Sequence, residues 1–299
     1  MDIVITYVNG LDPAWQADYS KYTNEPVMEK RFRDWGTLKY LLRGIEVNIP
    51  FVRNVYLVVS HESQVPDWAD TSHLKVVLHK DIIPAEYLPT FNSTTIEMFL
   101  HKIPGLDNEF VYFNDDTYPV ALCSHEDFFQ NGKIRLGFTK HFLSLGMYKK
   151  QCRNSDNFAR KALGLKATIS FMRPQHICTP MLREQSETAY TSVEQDILPT
   201  LSRTRTEQNV NQYFFLDYLY YKGLVVNKKI PKKHFSVAIS TPKQLNEFIL
   251  NPTRQFVCIN DVKLSESKYN EMNRAIIDAF EKRFPNISRF EKKQGAASK

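Results

Sequence analysis

The amino-acid sequence predicts an α/β protein with a parallel sheet at its centre. Three short runs of apolar and β-branched residues, at 2–8, 55–59 and 109–113, are continuous in the way typical of strands buried on both faces. A further run of this kind occupies residues 74–78. A helical pattern separates the first two runs, and strand, helix and strand at this spacing form a βαβ unit.

The composition is that of a globular chain with a sizeable core. Its 299 residues are 42% hydrophobic and 13% aromatic, which excludes a disordered or fibrous protein. The net charge of +6 suits phosphate-bearing substrates, nucleic acid or an anionic membrane surface. The four cysteines show no CxxC spacing, which argues against structural zinc and favours a reduced cytosolic setting. We expect neither a signal peptide nor a membrane-spanning helix.

The first strand is followed by Asn9-Gly10 and Asp12-Pro13, which predict a tight turn. The loop after the first strand commonly contacts the nucleotide in sheets with a nucleotide site, although an ordinary strand end is the alternative. Residues 14–30 have no clear period and are predicted to form a loop over the sheet edge.

Two amphipathic helices are predicted next. Leu38, Leu41, Leu42 and Ile45 lie on one face of the first helix, with Asp34 as its predicted N-cap. Ile96, Phe99, Leu100 and Ile103 lie on one face of the second. Thr94 and Glu97 have capping-box spacing, and Glu97 and His101 lie one turn apart, which suits a surface pair or a site pair.

Two adjacent carboxylates, Asp115 and Asp116, follow the strand at 109–113. They lie where open α/β sheets place their ligand sites, and carboxylates there suit Mg²⁺ or Mn²⁺. A solvated turn explains them equally well on local grounds. Asn260-Asp261 ends a similar apolar run at 255–259.

The remaining parts of the chain give weaker patterns. We expect a strand at 133–138 and helices at 157–163, 213–221 and 272–284, followed by a frayed tail at 292–299. His176 is a lone histidine, for which a structural role is the usual one. Arg203 and Arg205 precede the aromatic helix and suit either a phosphate clamp or a solvated surface. A lysine cluster near residue 230 has no nucleic-acid module around it.

These motifs, taken in order, resemble the conserved regions of the Stealth family. This family includes bacterial capsule and exopolysaccharide sugar-phosphate transferases and the animal GlcNAc-1-phosphotransferase that acts on lysosomal enzymes. Residues 2–13 (DIVITYVNGLDP) resemble the first region, and residues 31–116 resemble the second, with RFRDWGTLKYLLRGIE and FVYFNDD. Residues 154–221 are similar to the third region but diverge more, and residues 256–290 resemble the fourth. The four blocks predict a single Stealth-type catalytic domain over residues 1–299.

The resemblance implies a GT-A-like, Rossmann-like nucleotide-diphospho-sugar transferase core with helical additions. It implies that a hexose-1-phosphate (of GlcNAc, GalNAc or galactose) moves from a UDP-sugar to a glycan hydroxyl, forming a phosphodiester and releasing UMP. The acceptor would be a lipid-linked oligosaccharide or a polysaccharide, the cofactor Mg²⁺ or Mn²⁺, and nucleic acid no partner. We expect a cytoplasmic enzyme at the inner face of a bacterial membrane, with peripheral membrane contact.

The resemblance also assigns roles to residues of this chain. The implied general base is His176, with Asp116 as second candidate, while Arg205 and Arg31 would stabilise the transferring phosphoryl group. The predicted metal ligands are Asp115, Asp116 and Asp261. The predicted substrate- and nucleotide-binding residues are Asn9, Gly10, Asp12, Asp34, Arg43, Asn92, Ser93, Glu97, His101 and Arg203.

Two other functions fit the same residues. An ordinary GT-A glycosyltransferase would use the same sheet and acidic pair but attack the anomeric carbon and release UDP. A non-catalytic module that binds glycan or nucleic acid would not need Asp115 and Asp116, and it leaves the polar residues at the strand ends unexplained.

Overall fold

The computed structural model describes residues 1–24, 26–27 and 32–293, and the chain forms two compact units. Unit 1 comprises Met1–Val4, Val77–Tyr112 and His125–Ile230. Unit 2 comprises Ile5–Val76, Phe113–Ser124 and Pro231–Lys299. The single catalytic domain over residues 1–299 stays a prediction.

The main sheet has five strands: β1 (Asp2–Thr6), β2 (Val55–Val59), β3 (Leu74–Leu78), β4 (Glu109–Asn114) and β10 (Thr179–Leu182). Their order is β10, β4, β1, β2, β3. The sheet is parallel over several strands, while β10 runs antiparallel to β4 with Thr179 opposite Tyr112. This confirms the predicted α/β class and agrees with the Rossmann-like GT-A core that the resemblance implies.

Unit 2 contains four of the described helices: α1 (Pro13–Tyr22), α2 (Leu38–Asn48), α8 (Pro242–Leu250) and α9 (Glu266–Arg283). It also contains a small sheet of β5 (Thr117–Pro119), β12 (Lys232–Ser236) and β13 (Phe256–Asn260). β13 is parallel to β12 and antiparallel to β5. The ring of Phe280 on α9 packs 5.7 Å from Tyr40 on α2 and 4.7 Å from Tyr118 on β5, so aromatic contacts join these elements.

Unit 1 contains five described helices: α3 (His79–Ile82), α4 (Ser93–Glu97), α5 (Met147–Ala162), α6 (Arg183–Ile197) and α7 (Tyr213–Tyr221). Its remaining strands are β6 (Phe129–Gln130), β7 (Lys133–Arg135), β8 (Phe138–His141), β9 (Phe171–Pro174) and β11 (Val225–Val226). β6, β7 and β11 form one small sheet, and β8 pairs with β9 in antiparallel fashion. Most of α7 is buried, as its aromatic composition predicts. No helix among the described residues is long and apolar enough to cross a membrane.

Several local predictions were wrong. Much of the predicted loop at 14–30 is helix α1, whose first turn is capped by the Asp12 side chain and begins with Pro13. Helix α2 begins at Leu38 after Thr37, so Asp34 is not its N-cap. Helix α4 is capped by Asn92, which accepts from the Thr94 amide, so Thr94 and Glu97 do not form the predicted capping box.

Other boundaries differ in extent. The predicted strand at 133–138 is divided between β7 and β8, and the predicted helix at 157–163 is the end of the longer α5. In the predicted frayed tail, the Lys292 amide donates to the carbonyl of Trp68 at 2.8 Å, while residues 294–299 lie outside the described residues.

Candidate active site

The end of β4 carries Asp115 and Asp116, and the small sheet of unit 2 fixes their backbone. Directly after them, Thr117 in β5 lies opposite Cys258 in β13. The Ile259 amide donates to the Asp116 carbonyl at 2.9 Å, and the Tyr118 hydroxyl donates to the Asp115 carbonyl at 2.8 Å. The β13 strand then ends at Asn260 and Asp261, so the Asn-Asp end of this run and the Asp115–Asp116 pair belong to the same unit.

Four carboxylates of unit 2 act on one another electrostatically. The pKa of Asp115 is raised to about 7, chiefly by burial at the strand end. The negative charges of Asp116, Asp34 and Asp261 raise it further. Like charges held this close repel, and a divalent cation would relieve that repulsion. The structure thus brings Asp34 and Asp261 to the predicted acidic pair.

Asp34 belongs to this acidic group and is fixed by Tyr7, a residue that sequence reasoning missed. The Tyr7 hydroxyl donates a 2.8 Å hydrogen bond to Asp34 Oδ2, and the Gly36 amide donates to Oδ1 at 2.8 Å. Burial, followed by Asp34 and Asp115, raises the pKa of Tyr7 well above its ordinary value, so its phenol stays neutral. Tyr7 follows an apolar strand, where the sequence gives no sign of a polar role.

Arg33 provides positive charge at the edge of the acidic group. Its guanidinium nitrogen NH1 lies 3.8 Å from Asp261 Oδ1, and its Cζ lies 4.6 Å from the centre of the Tyr269 ring. Arg31, the predicted phosphoryl ligand of this segment, lies outside the described residues.

The donor atoms of the acidic group fit Mg²⁺ or Mn²⁺. Carboxylate oxygens are the ligands that these hard cations prefer. The Cys258 sulfur lies 3.6 Å from Asp116 Oδ2, but burial and the Asp116 charge raise the pKa of this thiol to about 12. The Cys258 thiol donates to this carboxylate, and sulfur is a softer ligand than Mg²⁺ or Mn²⁺ prefers. Asp115, Asp116 and Asp261 are of the residue type that a hard cation prefers, and metal binding by them stays a prediction.

The predicted nucleotide loop is a well-defined turn in unit 2. Asn9 Oδ1 accepts from the Leu11 amide at 2.9 Å, while Asp12 Oδ1 accepts from the Trp15 amide at 2.8 Å. Gly10 donates to the carbonyl of Phe32 at 2.8 Å, and a Cβ at Gly10 would lie only 2.5 Å from that oxygen. These contacts shape the loop, and nucleotide binding by Asn9, Gly10 and Asp12 stays a prediction.

Arg43 has its polar groups engaged within the fold of unit 2. Its Nε and NH2 donate to the two oxygens of Glu291 at 2.7 and 2.6 Å, and NH1 donates to the carbonyl of Phe284 at 2.9 Å. Both side chains of this ion pair are largely buried. The structure gives Arg43 a structural role, and substrate binding by it stays a prediction.

A second polar group lies in unit 1, around the first turn of α4. Asn92 is fully buried, and its amide nitrogen donates to the Ser202 carbonyl at 3.1 Å and to Asn209 Oδ1 at 3.0 Å. Arg205 NH2 donates to Ser93 Oγ at 2.6 Å. The segment containing Arg205 is thus attached to the start of α4, and two predicted residues, Ser93 and Arg205, are in contact.

Arg203 is engaged differently from Arg205. Its NH2 donates to the carbonyls of Leu88 at 3.0 Å and Glu86 at 3.4 Å. Helix α7 begins only at Tyr213, so neither arginine lies in the first turn of that helix. The helix N-terminus therefore does not adjoin the two arginines as predicted, and phosphate binding by Arg203 and Arg205 stays a prediction.

Glu97 and His101 are both buried and do not form a surface pair. Glu97 Oε2 accepts from the Gln212 amide at 3.0 Å, and burial raises the pKa of Glu97 to about 7 despite the opposing effects of Gln212, Arg205 and Ser93. The ring of His101 packs against Tyr190 and Phe215. Burial, with nearby Lys102 and Arg183, lowers the pKa of His101 to about 3, so it stays neutral.

His176 lies on the surface of unit 1, and its Nδ1 is 3.4 Å from the Tyr213 hydroxyl. The Tyr148 hydroxyl lies 3.0 Å from that of Tyr213. Burial raises the pKa of Tyr213 well above its ordinary value, so Tyr213 stays a neutral phenol. Tyr148 and Tyr213 were missed because aromatic residues in helical patterns are usually core residues.

Comparisons with known proteins agree with the block pattern of the sequence. Residues 31–136 match Stealth protein CR2, conserved region 2, and residues 248–299 match Stealth protein CR4, conserved region 4. The capsular polysaccharide phosphotransferase WcwK of Streptococcus pneumoniae is 29% identical over 98% of this chain and 99% of its own length. Capsular polysaccharide phosphotransferase cps12A of Actinobacillus pleuropneumoniae is 31% identical over 92% of this chain and 80% of its own length. Its relative cps1A, from the same species, is 31% identical over 83% of this chain and 72% of its own.

Proposed function

Because the chain belongs to the Stealth family, we propose that it is a sugar-phosphate transferase of capsular or cell-surface polysaccharide synthesis. It moves a hexose-1-phosphate from a UDP-sugar to a hydroxyl of a glycan acceptor. The names of its relatives as capsular polysaccharide phosphotransferases support this class of reaction. The structural observation that carries the proposal is the group of four carboxylates in unit 2, which suits a metal-bound diphosphate. Asp115 and Asp116 follow β4, Asp261 follows β13, and Asp34 lies in the loop before α2.

The reaction exchanges one bond to the β-phosphorus of the donor. The acceptor hydroxyl oxygen attacks this phosphorus, and the bond from it to the bridging oxygen of the diphosphate breaks. UMP leaves with the bridging oxygen, the hexose stays on the transferred phosphate, and the hydroxyl proton passes to a base. The product is a phosphodiester between the two sugars.

The acidic group is the proposed metal site. Asp115, Asp116 and Asp261 would hold Mg²⁺ or Mn²⁺, and Asp34 lies in the same electrostatic group. When bound, the cation would screen the charge of the diphosphate and favour departure of UMP. Tyr7 keeps Asp34 in place by its hydrogen bond, and Arg33 balances the charge of Asp261.

His176 is the proposed general base, a role that rests on the resemblance and on the chemistry of imidazole. An imidazole, with a reference pKa of about 6.5, suits proton transfer at neutral pH. With a proton on Nδ1, the ring donates to Tyr213 and keeps Nε2 as the basic nitrogen. Tyr213 then acts as a positioning residue for His176. Arg205 is the proposed ligand of the transferring phosphoryl group, because a guanidinium matches phosphate oxygens geometrically.

The proposed donor is a UDP-sugar carrying GlcNAc, GalNAc or galactose, and the proposed acceptor is a lipid-linked oligosaccharide or a polysaccharide. The reaction would take place at the cytoplasmic face of the membrane, where such acceptors are available to a peripheral enzyme.

The nucleotide product tests the proposal. The purified chain is incubated with Mg²⁺, an acceptor glycan and each of several UDP-sugars, and the nucleotides are separated by chromatography. The proposal predicts UMP that forms only when acceptor is present. Release of UDP instead would mean glycosyl transfer by an ordinary GT-A reaction, and the proposal would be wrong.

A further inference from the structure

An exposed apolar surface in unit 1 plays no part in the proposed reaction. Two loops at opposite ends of helix α5, residues 142–146 and 164–169, form this surface. We call it the apolar tip. Phe142 is 58% exposed, Leu145 75% and Ile169 80%. Isolated exposed apolar residues are common in soluble proteins, whereas a cluster of them marks an interaction surface. Exposed large apolar residues in and beside the tip are Phe142, Leu143, Leu145, Tyr148, Leu165 and Ile169.

The two loops are held together by Arg153. Its NH2 donates to the carbonyl of Phe142 at 2.6 Å and to the carbonyl of Ile169 at 2.9 Å. The strands that lead into and out of the loops pair directly, with His141 opposite Phe171. The tip is therefore one built surface, formed by segments that are distant along the chain.

The segment that forms the apolar tip is basic, with few acidic residues of its own. Between Phe128 and Arg183 the sequence has a single acidic residue, Asp156. Asp156 is fully buried and bonded to Arg160 at 2.8 Å. Lys150 is paired with Glu207. Further lysines in and beside the two loops are Lys140, Lys149 and Lys166.

The positive charge of this region also acts on His141, which directly precedes the tip. Burial, then Arg173 and Lys149, lower the pKa of His141 below its ordinary value. Aliphatic side chains surrounded by lysines match the interface of a bilayer that contains anionic lipids. A charged glycan would favour aromatic and hydrogen-bonding groups over exposed leucines, and so it suits this surface less well.

We propose that the apolar tip of unit 1 inserts into the interface of an anionic lipid bilayer, with Phe142, Leu143, Leu145 and Ile169 among the acyl chains and the lysines at the headgroups. This inference deepens the proposed function, since it names the surface that would bring the enzyme to a lipid-linked acceptor. Vesicle binding requires neither donor nor acceptor, and failure of either idea can therefore be recognised separately.

Flotation with vesicles tests the proposal. The full chain is mixed with vesicles of phosphatidylcholine alone or of phosphatidylcholine with phosphatidylglycerol. We expect it to bind the anionic vesicles, and we expect the F142S/L143S/L145S variant to bind them at least about tenfold more weakly. The variant Lys140→Gln/Lys166→Gln should bind less tightly and with a weaker dependence on salt.

A matched control separates insertion of the tip from nonspecific binding of exposed apolar residues to vesicles. Leu122 and Ile239 in unit 2 are 68% and 86% exposed, and L122S/I239S should bind anionic vesicles like the unchanged protein. Circular dichroism and thermal melting check that each variant is folded. Brominated lipids provide a second measurement, since they should quench the fluorescence added by Phe142→Trp but not that added by Leu122→Trp.

Two results would overturn the proposal. The first is that the unchanged protein does not bind anionic vesicles. The second is that the folded triple variant binds them as tightly as the unchanged protein does. If that variant also loses transfer to a water-soluble acceptor, the tip is part of the acceptor site instead.

Discussion

The Tyr213 hydroxyl lies 3.4 Å from Nδ1 of His176, and the Tyr148 hydroxyl lies 3.0 Å from that of Tyr213. The hydroxyls of Tyr148 and Tyr213 therefore form a chain that ends at Nδ1 of the exposed His176 ring. Tyr213 keeps its proton because burial raises its pKa. When Tyr213 donates to Tyr148, its oxygen can accept from Nδ1–H of His176, and Nε2 is then the basic nitrogen of the ring.

The first prediction concerns this imidazole. His176→Ala should lower kcat by about 10²–10⁴-fold, because it removes the proposed general base. Its melting temperature should change little, since the side chain is exposed. Steady-state kinetics and thermal melting measure both quantities. The exposed His73 provides a control, and His73→Ala should behave like the unchanged protein.

Tyr213→Phe tests the positioning of His176 without removing it. We expect kcat to fall by about tenfold, with KM for the donor nearly unchanged and a shifted pH profile. A His176→Ala enzyme that retained near-normal turnover would exclude His176 as the base, whatever the effect of Tyr213→Phe.

The second prediction concerns metal binding to the acidic group of unit 2. Mg²⁺ should raise the melting temperature of the protein at pH 8, because a ligand that binds only the folded state stabilises it. Asp115→Asn and Asp116→Asn should each greatly reduce this increase, and Asp67→Asn, at an exposed position in the same unit, should not. An equal shift in all four proteins would show that the cation binds elsewhere.

The third prediction concerns the pH dependence that Glu97 gives to stability. Its pKa is raised from 4.5 to about 7 in the folded protein. Below pH 4.5 it is protonated in both the folded and unfolded states, whereas between pH 4.5 and 7 the folded state binds more protons and stability falls as pH rises. Above pH 7 the full cost of the buried charge is present.

Glu97→Gln keeps an oxygen that can accept from the Gln212 amide but cannot ionise. It should therefore raise the melting temperature at pH 8 by about 3 °C or more and have little effect at pH 4.5. Glu126→Gln, at an exposed position, is the matched control. An increase of the same size at both pH values would mean that Glu97 does not titrate as described.

The fourth prediction separates stability from substrate binding at Arg43. Arg43→Ala should lower the free energy of unfolding by about 3–5 kcal/mol, because it leaves the buried carboxylate of Glu291 without its partner. Urea unfolding measures this loss, and KM for the donor should stay near its normal value in the protein that remains folded. A stable variant with a strongly raised KM would instead support the substrate role that the resemblance implies.

The sequence predicted best those features that depend on local pattern. The run at 55–59 and the aromatic helix at 213–221 have the predicted bounds, because continuous apolar or aromatic stretches are buried whatever their neighbours. The run at 74–78 also has the predicted bounds, although Lys75 within it is exposed. Helix α1 was missed because only Trp15 and Tyr19 of it are buried, which leaves no periodic stripe. The Asp12-Pro13 pair was its one local signal.

Contacts between distant segments could not be predicted. Asp34 looked like a helix cap, but its oxygens accept from Tyr7, 27 positions earlier, and from Gly36. The approach of Asp261 to the acidic pair depends on the pairing of β13 with β5, and the sequence motif alone left its part in the site open. Glu97 looked like half of a capping box, but it accepts from Gln212, which no spacing rule connects to it.

The fate of the β-phosphorus of the donor tests the central claim most directly. The enzyme is given UDP-sugars with radioactive phosphorus at the β position, together with Mg²⁺ and acceptor glycan. Transfer of a hexose-1-phosphate predicts that the label enters the acceptor in a phosphodiester and that the released UMP is unlabelled. Label that remains in released UDP, with an unlabelled sugar added to the acceptor, would contradict the account.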